Sequence, residues 1–585
     1  MKRLLLSILA SGICAGAMAI PAKPGLIAYT QPDGTVINVR IVGDEHGHMV
    51  YSESGLLLAE ANDGRLEYAR FDSNGFPIPS GIAVGQSIDE KSLAARLQPE
   101  NLINGWIDKV TVNSRERVEK LKEVASRIKV TRSGDDLTDE GESRLVPLNF
   151  ARCEATFPVL GEQKGLVVLV EYEDITFDYG DYDYFNRMLN EEGFSDFGSL
   201  GSARDWFIEN SNGRFIPEFD VYGPVKLPNP RQYYGGNDVY GNDMHPEEMA
   251  IHACQILDEQ VDFSQYDRDG DGLIDNVFIF YAGKGEHDSK IKNAVWPHSW
   301  DIAANYPDKE FVFDGVKLGH YACTCEYPSG YKRPDGIGTF VHEFSHVMGL
   351  PDLYVTTYTS GFTPGEWSVM DQGPYNNDRL TPPNYSSYEK CALGWLDFKP
   401  FSEGRMEIPD LSSTNEAYAM PTEKENEFFF FENRQQHGND EFLPGHGMLV
   451  WHVDYKESVW RLNTVNNTAN HQYVDLIEAD NVKSAATRAA DVFPGPKGVT
   501  SYGFDTKPQL ASWAKKRLDF DLTDIAESED GIISFNAVKY DPNAVETVES
   551  ANATDAIYYD LMGRRIANPG KGIYIHNGKK VLVKD

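Results

Sequence analysis

Positive charge is scarce in this sequence. Only 54 Lys and Arg stand against 90 Asp and Glu, a formal net charge of −36 over 585 residues. So acidic a chain is repelled by nucleic acid and by anionic membranes, so neither is an expected partner. The excess acid has two compatible uses, solubility outside the cell and the holding of calcium. Cysteine is sparse too, at six residues. With Cys14 in a leader, the remaining Cys153, Cys254, Cys323, Cys325 and Cys391 are odd in number, which excludes a fully paired disulfide framework. The single residue between Cys323 and Cys325 does not suit a zinc ribbon. No long apolar run follows the first twenty residues, so no transmembrane helix is expected. Repeats of fixed period are absent as well.

What is present begins with a leader. Lys2 and Arg3 precede an apolar run from Leu4, and Ala17 and Ala19 are small residues two apart. Together they read as a secretory signal peptide cut after Ala19. The length then calls for two to four domains.

Residues 20–130 hold short alternating segments, 35–42 and 49–58, separated by glycine turns, which reads as small antiparallel strands. A helix is expected over 115–128. The polar stretch 133–143 reads as a linker. What precedes it is either a propeptide, released near Arg132 or Arg144, or an N-terminal domain that stays attached.

From Gly165 the pattern changes. Leu166–Tyr172 and Asn276–Ala282 are continuous apolar runs suited to the middle of a sheet. Segments 202–210 and 246–259 have helical period, the second opening on acidic residues. This makes an α/β or α+β domain ending near Phe398. Residues 400–540 are mostly short strands, including 427–431 and 447–453, and are simplest as a β-sandwich.

The chemistry concentrates in HEFSHVMGLPD at 342–352. His342 and His346, four apart on a helix, put both imidazoles on one face, where they can reach one metal. Glu343 beside them can take a proton from activated water. Gly349 suits a helix C-cap and Pro351 forbids continuation, so the chain can turn back and present Asp352 as a third ligand. The competing reading is a surface helix with two solvated histidines. Farther on, Met370 in WSVMDQG (367–373) is either plain core or an apolar floor beneath the histidines.

A second cluster has separate logic. Asp267, Asp269, Asp271 and Asp275, with Gly272 at the sixth position, set oxygen ligands at positions 1, 3, 5 and 9 of an EF-hand-like calcium loop. Position 12 is Phe278 rather than Glu, so another carboxylate must complete the shell, with Asp262 and Glu286 as candidates. The plain alternative is a polar turn before a buried strand.

The extended helix motif with its methionine turn resembles the metzincin clan. In more detail, HEFSHVMGLPDLY, WSVMDQG, ALGW at 392–395, the aspartate loop and the segments from Tyr281 to Glu286 and Trp296 to Trp300 resemble the secreted immune inhibitor A-like metalloproteases. That resemblance covers roughly residues 20–540 and is densest over 165–400. It implies a latent precursor, a zinc endopeptidase core, protein or peptide substrates, and Asp352 as third zinc ligand. It also places His298 along the cleft. Val355 departs from it, standing where the family carries an acidic residue. Tyr375 serves either to polarise a substrate carbonyl or as cleft wall. Cys153 is either a buried thiol or a propeptide cap on zinc, and the segment Trp451–Asp454 is either structural or a calcium binder.

The last 30 residues, from Ile557, are similar to type nine secretion sorting tails, which implies that machinery as a partner. The expected order is therefore signal peptide 1–19, propeptide 20–145, a metzincin-like zinc protease domain 146–400, β-sandwich 401–540 and sorting-type tail 541–585. Two rivals predict otherwise. One is a surface adhesin with a degenerate protease core; the other is a zinc amidase or carboxypeptidase on the same ligands.

Overall fold

The computed structural model describes residues 20–85, 89–127, 144–147, 150–153, 155–357, 361–541, 546–548, 557–567, 569–576 and 579–584. The expected signal peptide and the 133–143 linker lie outside the described residues.

The N-terminal region is built from two three-stranded antiparallel sheets. In the first, β1 (Val36–Asp44) and β2 (Gly47–Ser52) form a hairpin whose tip carries Glu45 and His46. Helix α1 runs over Glu100–Arg127, longer at its start than the period from 115 suggested. It packs through Trp106 and Val110 onto Met49, Leu57 and Ala69.

Five strands make the central sheet. They are β3 (Gly161–Glu171), β4 (Phe215–Lys226), β5 (Val277–Tyr281), β6 (His298–Asp301) and β7 (His320–Cys325). Their spatial order is β6-β7-β5-β3-β4, parallel throughout except for the edge strand β6. Alternate residues of β3 and β5 feed two cores. Val167, Leu169, Phe278 and Phe280 pack with Phe340 and Phe344, while Leu166, Val168, Val277 and Ile279 pack with Met249, Ala253 and Leu257. Burial on both faces is why these strands read as unbroken apolar runs.

Helix α2 (Ala203–Asn210) and helix α4 (Ile337–Val347) lie on the first face, and α3 (Glu247–Leu257) lies on the second. Ser202 caps α2 with a reciprocal capping box to Asp205. Beyond the central sheet, β8 (Glu427–Arg434) and β9 (Gly447–Asp454) lie inside a second five-stranded sheet. Phe428 and Phe430 of β8 join the core beneath α4. Phe429 and Phe431 join a core shared with a three-stranded sheet of residues 404–408, 520–527 and 533–539. The four consecutive phenylalanines thus serve two cores from one strand. The tail strands within 546–583 form a small sheet of their own. Among the described residues, no helix is long and apolar enough to cross a membrane.

Candidate metal centre

Helix α4 stops where its sequence requires. Gly349 adopts φ +92°, and the amides of Gly349 and Leu350 donate to the carbonyls of His346 and Ser345, a Schellman closure. A Cβ at Gly349 would stand 2.6 Å from the Cys153 carbonyl, so the turn also needs glycine for space. The reversal brings Asp352 back to the two histidines of the helix.

The three side chains converge as the spacing predicts. His342 Nε2 and His346 Nε2 are 3.2 Å apart, and Asp352 Oδ1 lies 3.4 Å and 3.2 Å from them. His342 Nδ1 donates to the Val369 carbonyl and His346 Nδ1 to the Leu350 carbonyl, both at 2.8 Å. Because a carbonyl only accepts, this assigns the proton of each neutral ring to Nδ1 and leaves a lone pair on each Nε2. Asp352 Oδ1 is buried without a hydrogen-bond donor. Three lone-pair atoms packed this closely repel one another unless a cation lies among them. Their N,N,O chemistry suits zinc.

The ligands are braced from elsewhere in the chain. Asn463 accepts from the Asp352 amide at 2.8 Å through Oδ1 and donates from Nδ2 to Asp352 Oδ2 at 2.6 Å. Sequence reasoning missed Asn463, since 111 residues separate the pair and a lone loop asparagine carries no signal. The methionine turn braces His342 through the carbonyl of Val369, next to Met370. Met370 is fully buried, and its own carbonyl accepts from Leu353 at 2.8 Å.

Glu343 comes from the same helix, with a carboxylate oxygen within 4.8 Å of a ring nitrogen of each histidine. Its Oε1 accepts from the Ile20 amide at 2.8 Å, whereas the buried Oε2 has no hydrogen-bond partner. Burial pushes its carboxyl well above the ordinary value. The Ile20 N–H works against that rise, and the charges of Glu45 and Asp352 add to it.

Other candidates stand around this centre. Tyr375 hydroxyl donates to the Pro21 carbonyl at 2.7 Å, so it touches the N-terminal segment. His298 sits on edge strand β6, bonded at 2.6 Å to both the Trp296 carbonyl and the Tyr321 hydroxyl. Cys153 Sγ donates to the Trp460 carbonyl at 3.4 Å, which turns the thiol to another use than a metal cap. His452 bonds Glu427 at 2.8 Å, and Asp454 bonds His471 at 2.8 Å, both within the second five-stranded sheet.

The aspartate loop precedes β5. Oxygens of Asp267, Asp269 and Asp275 lie within 4.8 Å of one another. Asp271, whose Oδ1 accepts from the Leu273 amide at 2.8 Å, is not one of that trio. Asp267 Oδ1 is buried without a donor. Asp275 is pushed up to about 9 by burial and by the charges of Asp269, Asp267 and Asp271, against one helping N–H from Arg268. An all-oxygen cluster of this kind fits a hard cation. The two candidates for completing the shell are engaged in other contacts. Asp262 caps the turn at Ser264, and Glu286 lies against His48, Lys290 and Asn237.

A buried His–His–Asp trio flanked by a carboxylate, beside a mixed sheet, is an arrangement that can hold a metal ion and activate water. Residues 162–395 match the family described as "Immune inhibitor A peptidase M6, catalytic domain", and over that stretch the resemblance read from the sequence holds. Curated relatives agree. "Immune inhibitor A" of Bacillus thuringiensis subsp. alesti is 27% identical over 298 residues, which are 43% of this chain and 42% of that protein. "Pre-pro-metalloprotease PrtV" of Vibrio cholerae serotype O1 (strain M66-2) is 25% identical over 280 residues, covering 40% of this chain and 29% of the relative. The chain therefore spans less than half the length of these relatives.

Proposed function

We propose that this chain is a secreted zinc endopeptidase made as a latent precursor. The observation that carries the reading is the meeting of His342 Nε2, His346 Nε2 and Asp352 Oδ1 within 3.4 Å of one another. Zinc bound there would supply Lewis acidity, activating water and polarising a peptide carbonyl. The side chains do the rest. Glu343 takes the proton of the attacking water and passes it to the leaving nitrogen. Asn463 and the Val369 carbonyl hold Asp352 and His342 in place.

The metzincin-like fold supports this reading, with the methionine turn next to the ligands. Calcium on Asp267, Asp269 and Asp275 would stiffen the entrance to β5 rather than take part in chemistry. The two packed sheets of residues 401–540 make the β-sandwich, and the small closing sheet fits a type nine sorting role. Residues 20–145 act as the propeptide, released by cutting in 132–144.

The test uses the chain lacking residues 1–19. Metal content and casein hydrolysis are measured before and after limited trypsin treatment. One zinc per chain, with hydrolysis appearing on cutting and lost to a zinc chelator, is the expected result. Zinc without hydrolysis would contradict the endopeptidase reading in favour of an amidase. A chain without zinc would contradict the centre itself and favour the adhesin.

A further inference from the structure

His342 is tied to the methionine turn through one peptide group. Its Nδ1 donates to the Val369 carbonyl at 2.8 Å, and the N–H of that same peptide group, on Met370, donates to Ser368 Oγ at 3.0 Å. A trans peptide is planar and points its C=O and N–H in opposite directions. Whatever fixes the N–H end therefore aims the C=O end at the imidazole. The hydroxyl that fixes it is held in turn, since Ser368 Oγ donates to Glu389 Oε1 at 2.8 Å.

Glu389 belongs to helix α5 (Ser387–Ala392). Its second oxygen, Oε2, accepts from the Ser386 amide at 2.7 Å and from Ser386 Oγ at 2.9 Å, closing a capping box. The cap accounts for one oxygen of the carboxylate and leaves the other to the turn. Ser368 and Glu389 are both fully buried, so water does not compete for the bond between them. Burial raises the Glu389 carboxyl above its ordinary value, and the Ser368 hydroxyl is the strongest influence against that rise. The bonds also run one way. The imidazole N–H, the peptide N–H and the serine O–H each donate toward Glu389, so the carboxylate polarises the whole chain. Electron density is thereby pushed toward the far ring nitrogen, Nε2, which is the candidate ligand atom.

We propose that Glu389 is a positioning residue of the metal centre: through Ser368 and the peptide group between Val369 and Met370 it sets the aim and the donor strength of His342. This inference rests on the metal centre of the protease reading and deepens it. Glu389 touches neither the metal ligands nor a substrate, and it acts only through the turn. A glutamate that merely caps α5 would affect stability alone. The relay instead ties zinc affinity to the Ser368 hydroxyl, whose removal leaves the cap whole.

The test uses the chain lacking residues 1–19 and reads zinc affinity by competition with a chelating dye, alongside the melting temperature. Ser368→Ala and Glu389→Gln are each expected to weaken zinc binding about tenfold or more. The double variant should lose no more than the larger single loss, because both changes cut one chain. Ser386→Ala, which strips the cap from the other oxygen, should lower the melting temperature and keep zinc affinity within about twofold. A readout without metal goes with these. In the metal-free native chain the Met370 amide should exchange its hydrogen as slowly as the amides of β5, and roughly tenfold faster in Ser368→Ala. Native zinc affinity in both single variants, or losses that simply add in the double variant, would overturn the proposal. Fast exchange at Met370 in the native chain would overturn it with no variant that has to fold. The two readings fail separately. Native affinity in every variant sinks only the relay, whereas weakened affinity with no casein hydrolysis after trypsin keeps the relay and sinks the protease. A native chain that binds no zinc contradicts both.

Discussion

The histidine–aspartate trio and the aspartate loop both gather ligand atoms, yet they are built in opposite ways. In the trio every ligand is buried, and each is held by a partner outside itself: Val369, Leu350 or Asn463. In the loop, Asp267, Asp269 and Asp271 are partly exposed, only Asp275 is buried, and the bracing comes from amides within the loop. The trio is thus braced before any metal arrives, which suits the catalytic role proposed for it. The loop is held apart by its own charge, and a cation bound there would give it order.

The largest effect that separates the two should come from His346→Ala. It is expected to abolish zinc retention and to lower casein hydrolysis roughly a thousandfold or more. Calcium at the loop and the melting temperature at pH 5 should stay as they were, as measured by metal analysis and calorimetry.

Calcium removal is the converse. Asp275 has its carboxyl raised to about 9 from 3.8, so the folded chain favours its protonated form. Without a cation that contribution is fully present below about pH 4 and is lost as pH rises toward 9. One unit corresponds to about 1.4 kcal/mol, which bounds the loss between pH 5 and 8 at about 4 kcal/mol. Melting in a calcium-selective chelator should therefore fall between those pH values, and millimolar calcium should flatten the slope. A chelated chain equally stable at both would contradict the loop assignment.

Asn463→Ala sharpens the contrast further. Loss of the brace on Asp352 should weaken zinc binding roughly 10–100-fold, as read by competition with a chelating dye. The aspartate loop should not respond. Smallest is Ser202→Ala, far from both clusters, which removes the α2 cap and should cost about 1 kcal/mol in denaturant unfolding with zinc content unchanged.

How far the sequence could be read follows the same division. The ends of α4, the meeting of His342 and His346, and the return of Asp352 rest on helical period, one glycine and one proline, all within eleven residues. Strands β3 and β5 were legible because burial on both faces leaves a continuous apolar run. The start of α1 was missed, because the stretch after Glu100 carries asparagines and Gly105 that weaken a helical reading. Neither Asn463 nor the seat of Ile20 could be read, since their partners lie 111 and 323 residues away. Contacts made by folding over such distances leave no local pattern. The aspartate loop lies between these cases: its spacing was visible, but which of its carboxylates draw together, Asp267, Asp269 and Asp275, was not.

The most direct measurement is Glu343→Gln in the trypsin-cut chain, with zinc content and casein hydrolysis taken on the same sample. Zinc at one per chain with hydrolysis reduced roughly 10²–10⁴-fold is the predicted result, because the amide keeps the shape but cannot carry the proton. Undiminished hydrolysis by the Gln variant would contradict the account.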